Sequence, residues 1–263
     1  MQISAARFAH LLYSIVSKTV RLFSGTVIVG KSMAGLNKKL YYERAQHLTF
    51  LFQRQIRYEE SIQNAIASYV QPGYLVMDVG ANIGQYTLFF SEKVGRSGRV
   101  VAVEPDYKNF AFLQFNTTIN RSQNVFLEPC GLGSAEGEVV LYRDTETGGR
   151  RSALYRELAS RSFKGHTDRV PIKTLDSLIY TYGEPNFIKI DAEGAEVEIL
   201  QGLNAPLLHS VFLIEVRAET KAAVLRYFKD RGYACYCIEQ GSKDITREEE
   251  VPAFAHLLFV KTA

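Results

Sequence analysis

Three short stretches of this 263-residue chain set reactive residue types at usable spacings. The first is the apolar run Leu75-Val76-Met77-Asp78-Val79, continued by Gly80-Ala81-Asn82-Ile83-Gly84 and then Gln85-Tyr86-Thr87-Leu88. A buried strand, a tight glycine turn and a helix are the opening of a nucleotide-binding βαβ unit. Gly80 and Gly84 let backbone approach a ligand with no Cβ between them. Asn82 is one of the few other residues that tolerate positive φ. The second stretch is Arg99-Val100-Val101-Ala102-Val103-Glu104, which puts an acid at a strand end 20 residues past Gly84. A carboxylate so placed takes both hydroxyls of a ribose. The third is Phe187-Ile188-Lys189-Ile190-Asp191-Ala192-Glu193-Gly194-Ala195-Glu196, a strand running into an acidic turn and a helix. The strand period of two puts Lys189 and Asp191 on one face.

A glycine turn with an acid at this distance admits NAD, FAD or S-adenosylmethionine. Two features separate them. The turn is Gly-x-Asn-x-Gly, not the Gly-x-Gly-x-x-Gly that fits a pyrophosphate. Asp78 would repel phosphates and accept hydrogen bonds from an ammonium group. In an open α/β sheet, ligands sit beyond the carboxyl ends of the strands. Asp191 and Glu193 are therefore expected to share one crevice with Gly80 and Glu104.

The ordered set of motifs resembles the FkbM-type methyltransferases. It comprises Asp78 to Gly84, Val103-Glu104-Pro105, Asn116 and Asn120, Val170 to Asp176, Ile188 to Glu196, and Leu213-Ile214-Glu215-Val216. The likeness covers about residues 70–240. It implies a class I methyltransferase, Rossmann-like α/β fold with a mostly parallel seven-stranded sheet, an antiparallel last strand and helices before it. It also implies S-adenosylmethionine as cofactor and methyl transfer to a hydroxyl of a sugar, polyketide, lipid-linked or other secondary-metabolite acceptor. The candidate cofactor-binding residues are Asp78, Gly80, Ala81, Asn82, Gly84, Gln85, Glu104, Cys130, Gly131 and Asp191. Asp191 or Glu193 is the candidate base, with Lys189 orienting a carboxylate. No metal site is expected, a paired-carboxylate Mg²⁺ site being the competing reading. An NAD-type oxidoreductase and a non-catalytic scaffold on the same fold are the competing readings.

The elements around these stretches must position them. With 46% hydrophobic residues the chain can bury one sizeable core. Three cysteines, Cys130, Cys235 and Cys237, form no disulfide framework and fit a reducing cytoplasm. The overall charge of +3 is unevenly spread: residues 1–57 hold nine Lys or Arg and one acid, Glu43. This region is expected to be a basic, helical extension, with 58–263 as the catalytic domain. Residues 7–23 have amphipathic helical spacing, with a candidate peripheral membrane contact on a basic face. Lys18 and Arg21 interrupt the apolar run too early for a membrane span. Helical spacing continues over 41–70 through Tyr42, Leu48, Phe52, Ile56, Ile62 and Ile66.

A hairpin of 138–142 with 169–172 is expected, joined by a basic segment containing Arg150, Arg151, Arg156, Arg161 and Lys164 that suits a lid. His166 is expected in a solvated loop. The last two strands, 234–239 and 255–261, have no helix between them and should pair antiparallel. Aromatics are not interleaved with the basic run, so nucleic acid is not an expected partner. A small-molecule or glycan acceptor is, and a homodimer is a further candidate assembly.

Overall fold

The computed structural model describes residues 27–143 and 166–262. The amphipathic stretch 7–23 and the basic segment 144–165 lie outside the described residues. In chain order the elements begin with β1 (Ile28–Ser32), β2 (Lys39–Glu43), α1 (Leu48–Leu51) and α2 (Glu60–Ile66). They continue with β3 (Leu75–Val79), α3 (Gln85–Val94), β4 (Arg99–Val103), α4 (Tyr107–Ile119), β5 (Val125–Glu128), β6 (Gly131–Leu132) and β7 (Gly137–Arg143). The remainder is β8 (His166–Lys173), α5 (Leu175–Tyr182), β9 (Phe187–Ile190), α6 (Glu196–Gln201), β10 (Val211–Arg217), α7 (Lys221–Lys229), β11 (Tyr233–Cys237), β12 (Lys243–Asp244) and β13 (Phe254–Lys261).

The main sheet runs β12-β11-β13-β10-β9-β3-β4-β5. Strands β10, β9, β3, β4 and β5 pair in parallel, and β13 is antiparallel to both β10 and β11. This is the expected mostly parallel sheet with its antiparallel last strand, plus the two-residue edge strand β12. The strand order reverses beside β3, so the carboxyl ends of β3, β4 and β9 open on one crevice. Strands β3 and β9 are buried along their whole length, as a sheet covered on both faces requires. Their alternating side chains serve two cores. Met77, Ile188 and Ile214 pack toward Leu178, Leu200 and Phe228. Val76, Phe187 and Leu213 pack toward Ile66, Phe90 and Val94. Each fully buried large apolar side chain contributes roughly 1.5–3 kcal/mol.

Strands β7 and β8 pair antiparallel, with β6 on the other side of β8, which bears out the expected hairpin. His166 is the exposed first residue of β8 rather than a loop residue.

The N-terminal region departs from expectation. Residues 28–43 form a β-hairpin, with Val29 opposite Tyr42, where the sequence suggests helix from 41 onward. Leu40 and Tyr42 are fully buried, a period of two that a helical template also accommodates over so few residues. Two asparagines fasten this hairpin. Asn116 Oδ1 accepts from the Tyr41 amide, and its Nδ2 donates to the Tyr41 and Ile83 carbonyls. Asn120, one helical turn on, pairs likewise with the Lys39 amide and carbonyl. Helix α4 thus supplies the β2 edge with a partner that would otherwise be another strand. The hairpin's apolar side, with Phe50 and Ile56, packs on Ile83 and Leu88 beside the glycine turn.

Candidate active site

The glycine turn is shaped by backbone. Gly80 has φ 79°, and its amide and that of Ala81 both donate to the Val103 carbonyl at 3.0 Å. A Cβ on Gly80 would stand 1.8 Å from the Asp191 carbonyl oxygen, so the two strand ends touch only because the side chain is missing. Asn82 adopts φ 52°, as its residue type suggests, and its side chain accepts from the Ile83 amide at 2.8 Å. Gly84, φ 98°, caps α3 and faces Leu113 rather than the cavity, so its part is conformational.

Glu104 reaches across to this turn. Its Oε2 accepts from the Asn82 amide at 2.8 Å and its Oε1 from the Asp106 amide at 2.9 Å. The carboxyl is buried, which pushes its pKa up to about 8 despite the two backbone donors. Asp106 caps α4 by accepting from the Lys108 and Asn109 amides. The acid is therefore held rigidly on both sides.

Asp78 and Lys189 lie at the floor. Asp78 is fully buried, with Oδ2 accepting from Thr87 Oγ1 at 2.6 Å and Oδ1 without a hydrogen-bond partner. Lys189 Nζ stands 3.1 Å from Asp191 Oδ2 and 3.9 Å from Asp78 Oδ1, and over the Tyr86 ring. Burial opposes the lysine's charge, but Asp191 and Asp78 outweigh it and hold its pKa at about 12. Burial likewise raises the Asp78 carboxyl, against the pull of Lys189.

The acidic turn after β9 is a left-handed pair, Glu193 at φ 54° and Gly194 at φ 107°. Glu196 closes it by accepting from the Gly194 amide at 2.9 Å, which gives that acid a structural task. Arg217 Nη2 holds Glu193 Oε2 and sits 3.2 Å from Glu215 Oε1. Glu215 stands beside Asp191 because Ile214 and Ile190 are register partners in β10 and β9. Burial is the first cause that lifts its carboxyl to about 8, joined by the charges of Asp191 and Glu193 and opposed by His256 and Arg217.

These groups line one cavity of about 300 Å³. It joins Asp78, Gly80, Ala81, Asn82, Gln85, Glu104, Cys130 and Gly131 to Lys189, Asp191 and Glu193. Of the sequence-derived set, only Gly84 is absent from the lining. Cys130 is buried and its thiol pushed up to about 12, which leaves it a neutral wall rather than a nucleophile. Sequence reasoning missed His47, Tyr58, Glu59, Tyr86, Asn109 and Glu215. Glu215 had a signal, a charged residue inside the apolar run Phe212-Leu213-Ile214-Glu215-Val216. His47, Tyr58 and Glu59 had none, since the docked N-terminal region carries them in. Among the described residues, carboxylates at Glu59, Asp78, Glu104, Asp191, Glu193 and Glu215 face one lining Lys or Arg, Lys189. Such a cavity favours cationic or neutral hydroxylated ligands over anions.

Several known proteins are similar to this chain. The family profile described as Methyltransferase FkbM domain matches residues 78–235. Methyltransferase 1 of Beauveria bassiana (strain ARSEF 2860) is 28% identical over 146 residues, covering 49% of this chain and 58% of that protein. Methyltransferase sdnD of Sordaria araneosa is 27% identical over 156 residues, covering 49% and 60%. The chain thus spans under two thirds of the length of those relatives. Among solved structures, the methyltransferase FkbM of Methylobacillus flagellatus KT is 17% identical with a TM-score of 0.47, covering 82% of this chain and 59% of that one.

Proposed function

The chain belongs to the FkbM methyltransferase domain family, whose methyl donor is S-adenosylmethionine, and from that premise we propose that it methylates a hydroxyl group of a neutral, hydroxyl-bearing acceptor such as a sugar or polyketide. The observation that carries this reading is the single cavity in which the glycine turn and Glu104 meet the acidic turn at Asp191 and Glu193.

The residues fit the donor. The orphaned Asp78 Oδ1 and the carboxylate-rich lining suit a ligand with positive charge. Glu104, fixed by two amides, keeps lone pairs for the hydroxyls of a ribose. When bound, S-adenosylmethionine supplies a methyl group already activated on a sulfonium. The chain therefore has to orient the acceptor and handle one proton. Asp191 and Glu193 are tied to Lys189 and Arg217. These ion pairs fix the two side chains in place and suit them to hold an acceptor hydroxyl in line. Lys189 holds the Asp191 carboxylate at 3.1 Å, the orienting task its position on the same strand face allows. Family membership favours S-adenosylmethionine over a nicotinamide cofactor.

Incubation with a tritiated methyl donor and matched hydroxyl and amine acceptors tests the oxygen preference. Label recovered in an alkali-stable ether supports the proposal. Label recovered only on amines contradicts it. Binding of donor with no turnover across acceptors would favour a scaffold on the same fold. Any attachment to a membrane surface through residues 7–23, and any homodimer, are proposals for vesicle co-sedimentation and light scattering. Among the described residues no helix is long and apolar enough to cross a membrane.

A further inference from the structure

Resting on the methyl-transfer reading, we propose that Glu215 takes the acceptor's hydroxyl proton and that His256 and Glu239 pass it from the buried cavity to solvent. The register of the sheet builds this array. Glu215 on β10 and His256 on β13 are direct antiparallel partners. Glu239, in the turn after β11, lies next to His256 and keeps its side chain about one third exposed. Its Oε1 is 2.6 Å from His256 Nδ1, and both its oxygens accept from the His256 amide at 3.0 Å.

The other ring nitrogen is the informative one. His256 Nε2 is buried and has no hydrogen-bond partner. It stands 3.8 Å from Glu215 Oε2 and 3.8 Å from Glu59 Oε2. A buried imidazole with a satisfied Nδ1 and an idle Nε2 aimed at two carboxylates costs stability as a structural element. It is, however, arranged to receive a proton on one side and release one on the other. Glu59 is engaged by the Tyr86 hydroxyl at 2.8 Å, and the Phe254 ring meets the imidazole edge-on at 5.8 Å. Glu215 faces the cavity, with Arg217 on its Oε1 and Asp191 and Glu193 close enough to oppose its charge.

The charges suit the direction of flow. Burial and the neighbouring acids hold Glu215 near 8, a basicity that matches hydroxyl deprotonation near neutral pH. The His256 imidazole is opposed by burial but raised more by Glu239, Glu59 and Glu215. Glu239 is drawn below the usual carboxylate range by its bonds to His256, outweighing its partial burial, and so stays an acceptor.

The step balances. The carbon–sulfur bond breaks with its electron pair kept on sulfur, and the carbon–oxygen bond to the acceptor forms. The acceptor's proton moves to Glu215. Glu215 protonates His256 Nε2, His256 releases its Nδ1 proton to Glu239, and Glu239 gives it to water. His256 and Glu239 act through Glu215 and are relay residues, not contacts of the acceptor.

Two measurements test this. In the ligand-free protein, ¹⁵N spectra of the imidazole should show His256 titrating above 6.5, and below its wild-type value in both Glu215→Gln and Glu239→Gln. An unmoved His256 titration in Glu215→Gln overturns the array. The rate of tritiated methyl incorporation into a panel of monosaccharides and phenols should fall about 100-fold in Glu215→Gln. In His256→Asn it should fall on the order of 10-fold through kcat alone, less than for loss of the base itself, and recover with added imidazole. A His256→Asn enzyme that is less stable yet keeps its rate and pH profile would leave His256 a structural residue and overturn the relay. The spectra need neither donor nor acceptor. Failure of the array is thus distinct from failure of methyl transfer, which would appear as wild-type protein that binds no S-adenosylhomocysteine.

Discussion

The two halves of the cavity are built by different forces. Around Gly80, Asn82 and Glu104 almost every contact involves backbone: amides on the Val103 carbonyl, amides on Glu104, and two left-handed glycines. Around Asp191, Glu193 and Glu215 the contacts are between charged side chains, with Lys189 and Arg217 as the counterions. Backbone geometry fixes the shape of a constant ligand. Ion pairs in a buried site can be retuned by single substitutions, which suits the half proposed to meet the acceptor.

The comparison breaks most visibly where the halves touch. Gly80→Ala puts a methyl group into the Asp191 carbonyl and forces an L residue to φ 79°. We expect a loss of about 4 kcal/mol, summing overpacking and left-handed strain, read as a drop in denaturation midpoint below wild type that is the same at every pH.

Lys189→Met removes the cation from a buried triad and should cost roughly 3 kcal/mol at neutral pH. Without it the buried Asp78 carboxyl loses the pull of the lysine and rises further above its ordinary value. The deficit should therefore be largest at neutral and alkaline pH and shrink as the acids protonate on acidification. In the wild-type protein the lysine is raised from 10.5 to about 12, so its contribution is full below 10.5 and lost as pH climbs through 12.

Glu215→Gln sharpens the contrast through pH. Glu104 and Glu215 are raised from 4.5 to about 8 in the folded chain. The unfolded chain ionises first, so each contributes stability below 4.5 that is lost as pH rises to 8. Thermal melts across that window should fall in the wild type. The fall should flatten by about 1–2 kcal/mol in Glu215→Gln, leaving the slope due to Glu104.

The smallest effect is a control. Gly183→Ala has φ 98° and nothing within 4 Å of the added Cβ, so only backbone strain acts. About 1 kcal/mol is expected, and a larger value would mean that strain, not the clash with Asp191, dominates at Gly80.

The same division governed what the sequence disclosed. Asp78, Asn82, Glu104 and Asp191 were readable because a strand–turn–helix grammar dictates their types at fixed spacing, whereas the mostly parallel sheet was implied by the family resemblance. The hairpin at 28–43 was not, because Leu40 and Tyr42 fit a strand or a helix over so short a run. What decides it is Asn116 and Asn120, some 75 residues away, whose side chains bond the β2 edge. Glu59 and His47 entered the cavity by that docking and carry no local signature. His256 was likewise silent, since its partner Glu215 is set by the register of β10 on β13.

The central claim is that the cavity holds the methyl donor with Glu104 as its anchor, and calorimetric titration with S-adenosylhomocysteine tests it most directly. The account predicts micromolar binding to the wild-type protein, weakened roughly 100-fold or more in Glu104→Ala as charge-assisted hydrogen bonds are lost. A folded protein that binds NADH and not S-adenosylhomocysteine, or a Glu104→Ala variant that keeps full affinity, would contradict it.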